Sequence, residues 1–190
     1  MLPPGTQSAF AAQQAAHFAH DAAVHAAVQL TSSSSRNAAL LELADRCLGD
    51  VPEVMIEALG LQTAVRRVLI SAEQQRHAIN RRQIASKADA DLVALRLTEA
   101  LANVRYQLLP QKDARIFEIV GYAPSADRCL VLPLKLIPAT DAKTKQDEWW
   151  LQTAIPFGAT KYRQARGRNR LVELQAGPLP YDYRIERTRE

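Results

Sequence analysis

Three β-rich runs between positions 115 and 155 constrain this chain more than anything else in it. They are RIFEIVGY (115–122), CLVLPLKLI (129–137) and EWWLQTAI (148–155). The breaks between them are short, which predicts hairpins rather than crossovers. In the second run Leu130, Leu132, Leu134 and Leu136 fall on one face by the two-residue period of a strand. Pro133 has no N–H for a ladder, so this run is expected at a sheet edge or with a bulge. In the third, Trp149, Leu151, Thr153 and Ile155 share a face if the backbone is extended. Residues 170–174 are expected to add a short fourth strand.

Upstream the chain reads as helical. Residues 6–30 are rich in alanine without Gly or Pro, which favours one long helix. The TSSSS run at 31–35 marks a hinge. Residues 37–48 predict a helix stopped by Gly49, and Pro52 suits the first turn of another closing at Gly60. AVRRVLI (64–70) resembles a short strand. Ser71 with Gln74 forms a capping-box pattern, which predicts a helix over 72–83. A further helix is expected over 89–109, with Val93, Leu97, Leu101, Val104 and Leu108 as its stripe and Pro110 as its stop. The fold class expected is α+β: N-terminal helices followed by an antiparallel sheet of about four strands, with helices packed on one face. The expected organisation is a helical accessory segment (1–60), a main domain (61–176) and an irregular tail (177–190). No internal repeat is evident.

Composition narrows the functional classes. At 190 residues and 47% apolar content the chain can hold one ordinary domain with an appended segment. No apolar run is long enough to span a bilayer, so no membrane partner is expected. The first basic residue is Arg36, so a secretory signal is not expected and a cytoplasmic location is. Cys47 and Cys129 lie far apart and read as two buried thiols. His17, His20 and His25 sit on the alanine-rich helix, but nothing converges on them as a metal site demands, and no metal or cofactor is expected.

Charge is divided unevenly. Residues 1–60 hold two basic groups and six acids, whereas the rest hold 22 basic groups and 14 acids. That asymmetry points to nucleic acid for the basic part, or to packing of the acidic part against it. The cations are densest after the third run, where Lys161, Arg163, Arg166, Arg168 and Arg170 follow a Pro/Gly turn with no acid among them. Arginine binds phosphate as a bidentate fork and lysine as a point charge. A solvated basic face is the ordinary alternative.

No metal motif, Gly-rich phosphate loop or nucleophile elbow is present. One histidine in the basic part, His77, together with lysines, arginines and Thr153, would suit metal-free RNA cleavage. There the 2′-hydroxyl attacks phosphorus while a base and an acid move protons and cations hold the developing charge.

The run VLISAEQQRHAINRR (68–82), with the three strands after it, resembles the phage and polymorphic-toxin nucleases of the barnase–EndoU–colicin–RelE-like group. In that group a strand ending in Ile-Ser precedes a helix bearing His, and an aromatic strand ends in Thr-Ala. The similarity covers about residues 68–170. It implies His77 as the acid/base, Thr153 as a phosphate-contacting hydroxyl and Lys135 as a cationic site residue. Arg82 stands where many members have a second histidine. Arginine cannot serve as a base at neutral pH, so Arg82 would hold phosphorane charge or the copy would be inactive. Lys161 and Arg163 are phosphate binders by chemistry alone.

Two functions are therefore expected in competition. One is a metal-independent, toxin-type endoribonuclease, phage-borne or delivered into a target cell, acting on RNA and opposed by an acidic inhibitor or immunity protein. The other is a non-catalytic nucleic-acid-binding or protein-interaction module on the same fold. On either, residues 1–60 would bind a partner or self-associate. Each singled-out side chain also has an ordinary reading: His77, Arg82 and Lys135 as surface groups, Thr153 as a strand threonine, and Trp149 and Trp150 as packing.

Overall fold

The structure is a computed structural model that describes residues 20–181 apart from 31, 42, 62–65, 112, 143–144 and 178, and apart from the side chains at 33, 81–85 and 87. Among the described residues eight strands form one sheet: β1 (Arg46–Asp50), β2 (Arg67–Ile70), β3 (Val104–Leu108), β4 (Ile116–Ala123), β5 (Arg128–Ile137), β6 (Glu148–Leu151), β7 (Ile155–Phe157) and β8 (Leu171–Glu173). Their order is β1-β2-β6-β5-β4-β3-β8, with β7 paired to β5. Neighbours run antiparallel except β2 and β6, which are parallel. Seven helices accompany the sheet among the described residues: α1 (20–29), α2 (Ser33–Leu40), α3 (Glu53–Ala58), α4 (Ala72–Ala85), α5 (Lys87–Leu95), α6 (Leu97–Ala102) and α7 (Ala159–Gly167).

The class is α+β, but the expected sheet of about four antiparallel strands with helices on one face is corrected on three counts. The sheet has eight strands, it is mixed, and helices cover both faces. Period two along β5 shows the last point. Leu130, Leu132 and Leu134 enter a core shared with Met55, Leu92, Val93, Leu97 and Leu101 of α3, α5 and α6. Cys129 and Val131 point the other way, to Tyr162 and Ala165 of α7 and to Leu179 and Tyr181. Each buried leucine of that row contributes roughly 1.5–3 kcal/mol. Trp149 is fully buried in the first core, its ring centroid 5.6 Å from that of Phe117.

Two segments read as helix are strands. Residues 104–108 satisfied a helical stripe only because Val104 and Leu108 are four apart; in the structure the chain leaves α6 at Asn103 and β3 pairs with both β4 and β8. Within the stretch read as a helix over 37–48, α2 ends at Leu40 and β1 begins at Arg46. Gly49, expected to stop a helix, has φ +131° beside a register shift in β1, a conformation open to glycine. The serines expected as a hinge build α2, with Ser32 as its N-cap accepting from the Ser35 N–H. The capping box is present at α4: the Gln74 N–H donates to Ser71 Oγ at 3.1 Å, and the Ser71 N–H donates to Gln74 Oε1 at 3.4 Å.

Pro133 does not lie at an edge. β5 has β4 on one side and β6 and β7 on the other. Instead the neighbour is interrupted. Pro133 C=O accepts from the Gln152 N–H at 2.9 Å, so its missing N–H faces the same neighbour, where residues 152–154 separate β6 from β7. Of the segment expected as a helical accessory (1–60), residues 1–19 lie outside the described residues, and several residues of 20–60 pack into the body. β1 borders β2, and Leu48, Val51, Met55 and Ile56 are buried in the main core. α1 packs Val24, Ala27 and Val28 against Ile79 and Ala94. In the tail, expected to be irregular, Leu179 and Tyr181 are buried, and the Tyr181 hydroxyl donates to Phe157 C=O at 2.6 Å.

Candidate functional site

The Pro/Gly segment expected as a turn instead continues β7 through Pro156 and Phe157, and Gly158 follows as the N-cap of α7. Tyr162 and Ala165, three apart, bury one side of this helix against the sheet. Ala159 packs partly against the same core, whereas Lys161, Arg163, Arg166 and, just past the helix, Arg168 are exposed. Lys161, Arg163 and Arg168 make no ion pair with any described residue. Arg166 donates from Nη1 to the Tyr162 hydroxyl at 3.3 Å. Arg170 has a different role: its Nε–H donates to Leu109 C=O, and the Leu109 N–H donates to Arg170 C=O at 2.8 Å, tying the end of the helix to the end of β3. Between Glu148 and Glu173 there is no acid, so nothing nearby in sequence neutralises this surface.

Lys135 belongs to the same side of the sheet. It has the opposite parity to the buried leucines of β5 and pairs with Trp150 on β6 and Ile116 on β4. All three are half-buried. Trp150 is fixed there by Nε1–H donation to Glu148 Oε2 at 2.8 Å. Lys135, which the resemblance implied as a cationic site residue, and Lys161 and Arg163, expected as phosphate binders, thus lie on one side of the sheet.

His77 does not join them. α4 turns Gln75, Ala78 and Ile79 inward, and these line a small cavity with Ile70 and Ala154. At 100° per residue His77 falls on the outward side, where it is exposed and bonds to no described residue. α4 covers the face opposite α7, so the imidazole and the free cations lie on different sides of the sheet. Thr153 sits in the interruption between β6 and β7, half-buried and without a hydrogen bond to a described residue. Ala154 beside it faces the α4 side. Arg82 lies within α4, but its side chain is outside the described residues.

Beside α7 lies a shallow open pocket of about 350 Å³ lined by Tyr106, Tyr162, Arg166, Leu171 and Glu173. Sequence reasoning missed it because β3 was expected as helix, which detached Tyr106 from Glu173. The four-residue spacing of Tyr162 and Arg166 was the available signal for α7, but only Tyr162 and Ala165 supply apolar periodicity there.

Elsewhere, Arg46 is mostly buried and reaches Asp21 of α1 at 3.4 Å. Burial lowers its pKa, with the Asp21 carboxylate acting in the opposite direction. No group of three or more His, Cys, Asp or Glu among the described residues could hold a metal ion. His20 and His25 lie on α1, and His17 lies outside the described residues. No helix among the described residues is long and apolar enough to cross a membrane. No protein-family model, curated protein or solved structure matches the chain.

Proposed function

We propose that this protein binds nucleic acid non-catalytically, gripping the phosphate backbone with the exposed face of α7. One observation carries the reading. Lys161 and Arg163 on α7 and Arg168 at its C-cap are exposed without an ion-pair partner among the described residues, in a stretch that holds no acid. Surface cations held apart from acids keep their full attraction for phosphate, and each phosphate neutralised releases a counterion. Lys135 lies on the same side of the sheet, on a strand face it shares with Glu118 of β4 and Glu148 of β6.

The endoribonuclease expectation draws less support from the same geometry. Proton transfer needs a base within hydrogen-bond reach of the reacting hydroxyl, and cations beside the same phosphorus. His77 stands alone on α4, across the sheet from the free cations of α7.

Labelled single-stranded RNA, titrated in EDTA and then run on a denaturing gel, tests both. The expected result is binding that leaves the RNA intact, weakened by Lys161→Ala and Arg163→Ala and unchanged by His77→Ala. Cleavage by the wild type that His77→Ala abolishes would restore the nuclease reading.

A further inference from the structure

The pocket beside α7 differs chemically from the helix above it. Tyr106 on β3 lies directly across from Glu173 on β8, and Leu171 lies on the same strand face as Glu173. The hydrogen bond from Arg166 to the Tyr162 hydroxyl joins the two α7 residues that form its other wall. It thus combines an aromatic ring, an apolar floor, a guanidinium and an exposed carboxylate. A carboxylate repels phosphate, so a phosphate-only site would have no use for Glu173.

We infer that this pocket takes one unstacked guanine of a single-stranded nucleic acid, an inference that rests on the binding function proposed above. Its volume, about 350 Å³, falls at the lower end of ligand pockets and suits a single base with its sugar. Tyr106 supplies a stacking surface. An ionised carboxylate can only accept hydrogen bonds, and its two oxygens match two adjacent donors. Guanine alone among the common bases offers such a pair, N1–H and N2–H, on its Watson–Crick edge. Uracil sets one donor between two acceptors, and adenine and cytosine set a donor beside an acceptor. In a duplex that edge is already paired, so the site selects single strands. Arg163, three residues before Arg166, shares its side of the helix and covers the phosphate next to the held base.

The test compares dissociation constants at fixed salt for an eight-nucleotide uridine tract, the same tract with one central guanosine, and a duplex containing that guanosine. A single guanosine is expected to tighten binding about tenfold, the scale of one good bidentate pair. The duplex is expected to lose that gain. Glu173→Gln, at an exposed position, is expected to bring the two single strands within about twofold of each other without weakening the uridine tract, since it removes a negative charge. Equal affinity of the wild type for both tracts, an equally well-held duplex, or a guanosine preference that survives Glu173→Gln overturns this inference alone. Failure to bind any of the three overturns the proposed function and this inference with it.

Discussion

Gly121 lies in β4 directly beneath α6, and its replacement by alanine tests how that helix meets the sheet. A β-carbon built there would stand 2.1 Å from the Ala100 carbonyl oxygen, 2.7 Å from its carbonyl carbon and 3.1 Å from its β-carbon. The obstacle is helix backbone, so no side-chain rotation relieves it. Carbon contacts are comfortable at about 3.5–4.0 Å, so α6 would have to retreat by more than about 1 Å. α6 buries Leu97, Ala100 and Leu101, and retreat opens packing around all three. We expect a loss of about 2–4 kcal/mol, at or above the usual range for overpacking. Gly167 is the control, because a β-carbon there meets nothing within 4 Å. Gly167→Ala should stabilise by about 0.4–1 kcal/mol through the unfolded chain. Urea unfolding reads both: at about 1–3 kcal/mol per molar, Gly121→Ala should lower the midpoint by about 1 M or more. A Gly121→Ala midpoint equal to or above the wild type would refute the close seating of α6 on β4.

Three further outcomes follow from particular contacts. Asp21→Asn removes the carboxylate beside the mostly buried Arg46 guanidinium; because Asp21 is 49% exposed, solvent screens the pair and we expect a loss of only about 1 kcal/mol, read as a lower melting temperature. Burial pushes the Tyr181 phenol above its ordinary value. A group whose pKa is raised on folding contributes stability fully below its unfolded pKa, about 10, and loses it as pH rises through the folded value. Urea midpoints should therefore fall above about pH 10, and Tyr181→Phe should flatten that limb while costing about 1 kcal/mol below it for the lost bond to Phe157; an unchanged alkaline limb in the variant would count against this assignment. Trp149→Ala should cost about 3–5 kcal/mol as a large cavity at a fully buried site, whereas Trp150→Ala, at a half-buried one, should cost clearly less by the same melts.

The central strands were legible because their signals are local. Alternating leucines placed β5, β-rich composition placed β4, and the Ser71–Gln74 box placed the start of α4, whereas the single strand expected over 148–155 breaks into β6 and β7, with Trp149 and Leu151 in one core and Ile155 against the other. What misled were short segments compatible with two periods. VRYQL fits a helix by its ends and a strand by its β-branched and aromatic residues; only pairing with β4 and β8, set by residues far along the chain, decides for the strand. Pro133 announced a missing hydrogen bond, but not whether the sheet would end there or the neighbour would break. The parallel β2–β6 pair joins residues about eighty apart, and no local pattern announces such a pairing.

Of the candidate site residues, the run of cations was legible in the sequence and their placement was not. Lys161 and Arg163 are exposed on either flank of the buried Tyr162 and bond to no described residue, and Lys135 has the parity of the same side of the sheet. The motif around His77 suggested an active centre, yet helical phase turns the imidazole outward because Gln75, Ala78 and Ile79 take the inner side of α4. Which face of the sheet a helix covers depends on chain crossings that spacing does not encode. The pocket at Glu173 required β3 and β8 to be neighbours, a contact between residues more than sixty apart.

The most direct test of the proposed function is the salt dependence of single-stranded RNA affinity. If Lys161, Arg163 and Arg168 each neutralise one phosphate, the logarithm of the affinity should fall with the logarithm of salt at a slope of about −2, taking about −0.7 per phosphate. The double variant Lys161→Ala, Arg163→Ala should reduce that slope to about −0.7 on the same basis. A slope that stays the same in the double variant, or a wild-type affinity indifferent to salt, would contradict the assignment of α7 as the phosphate-gripping surface.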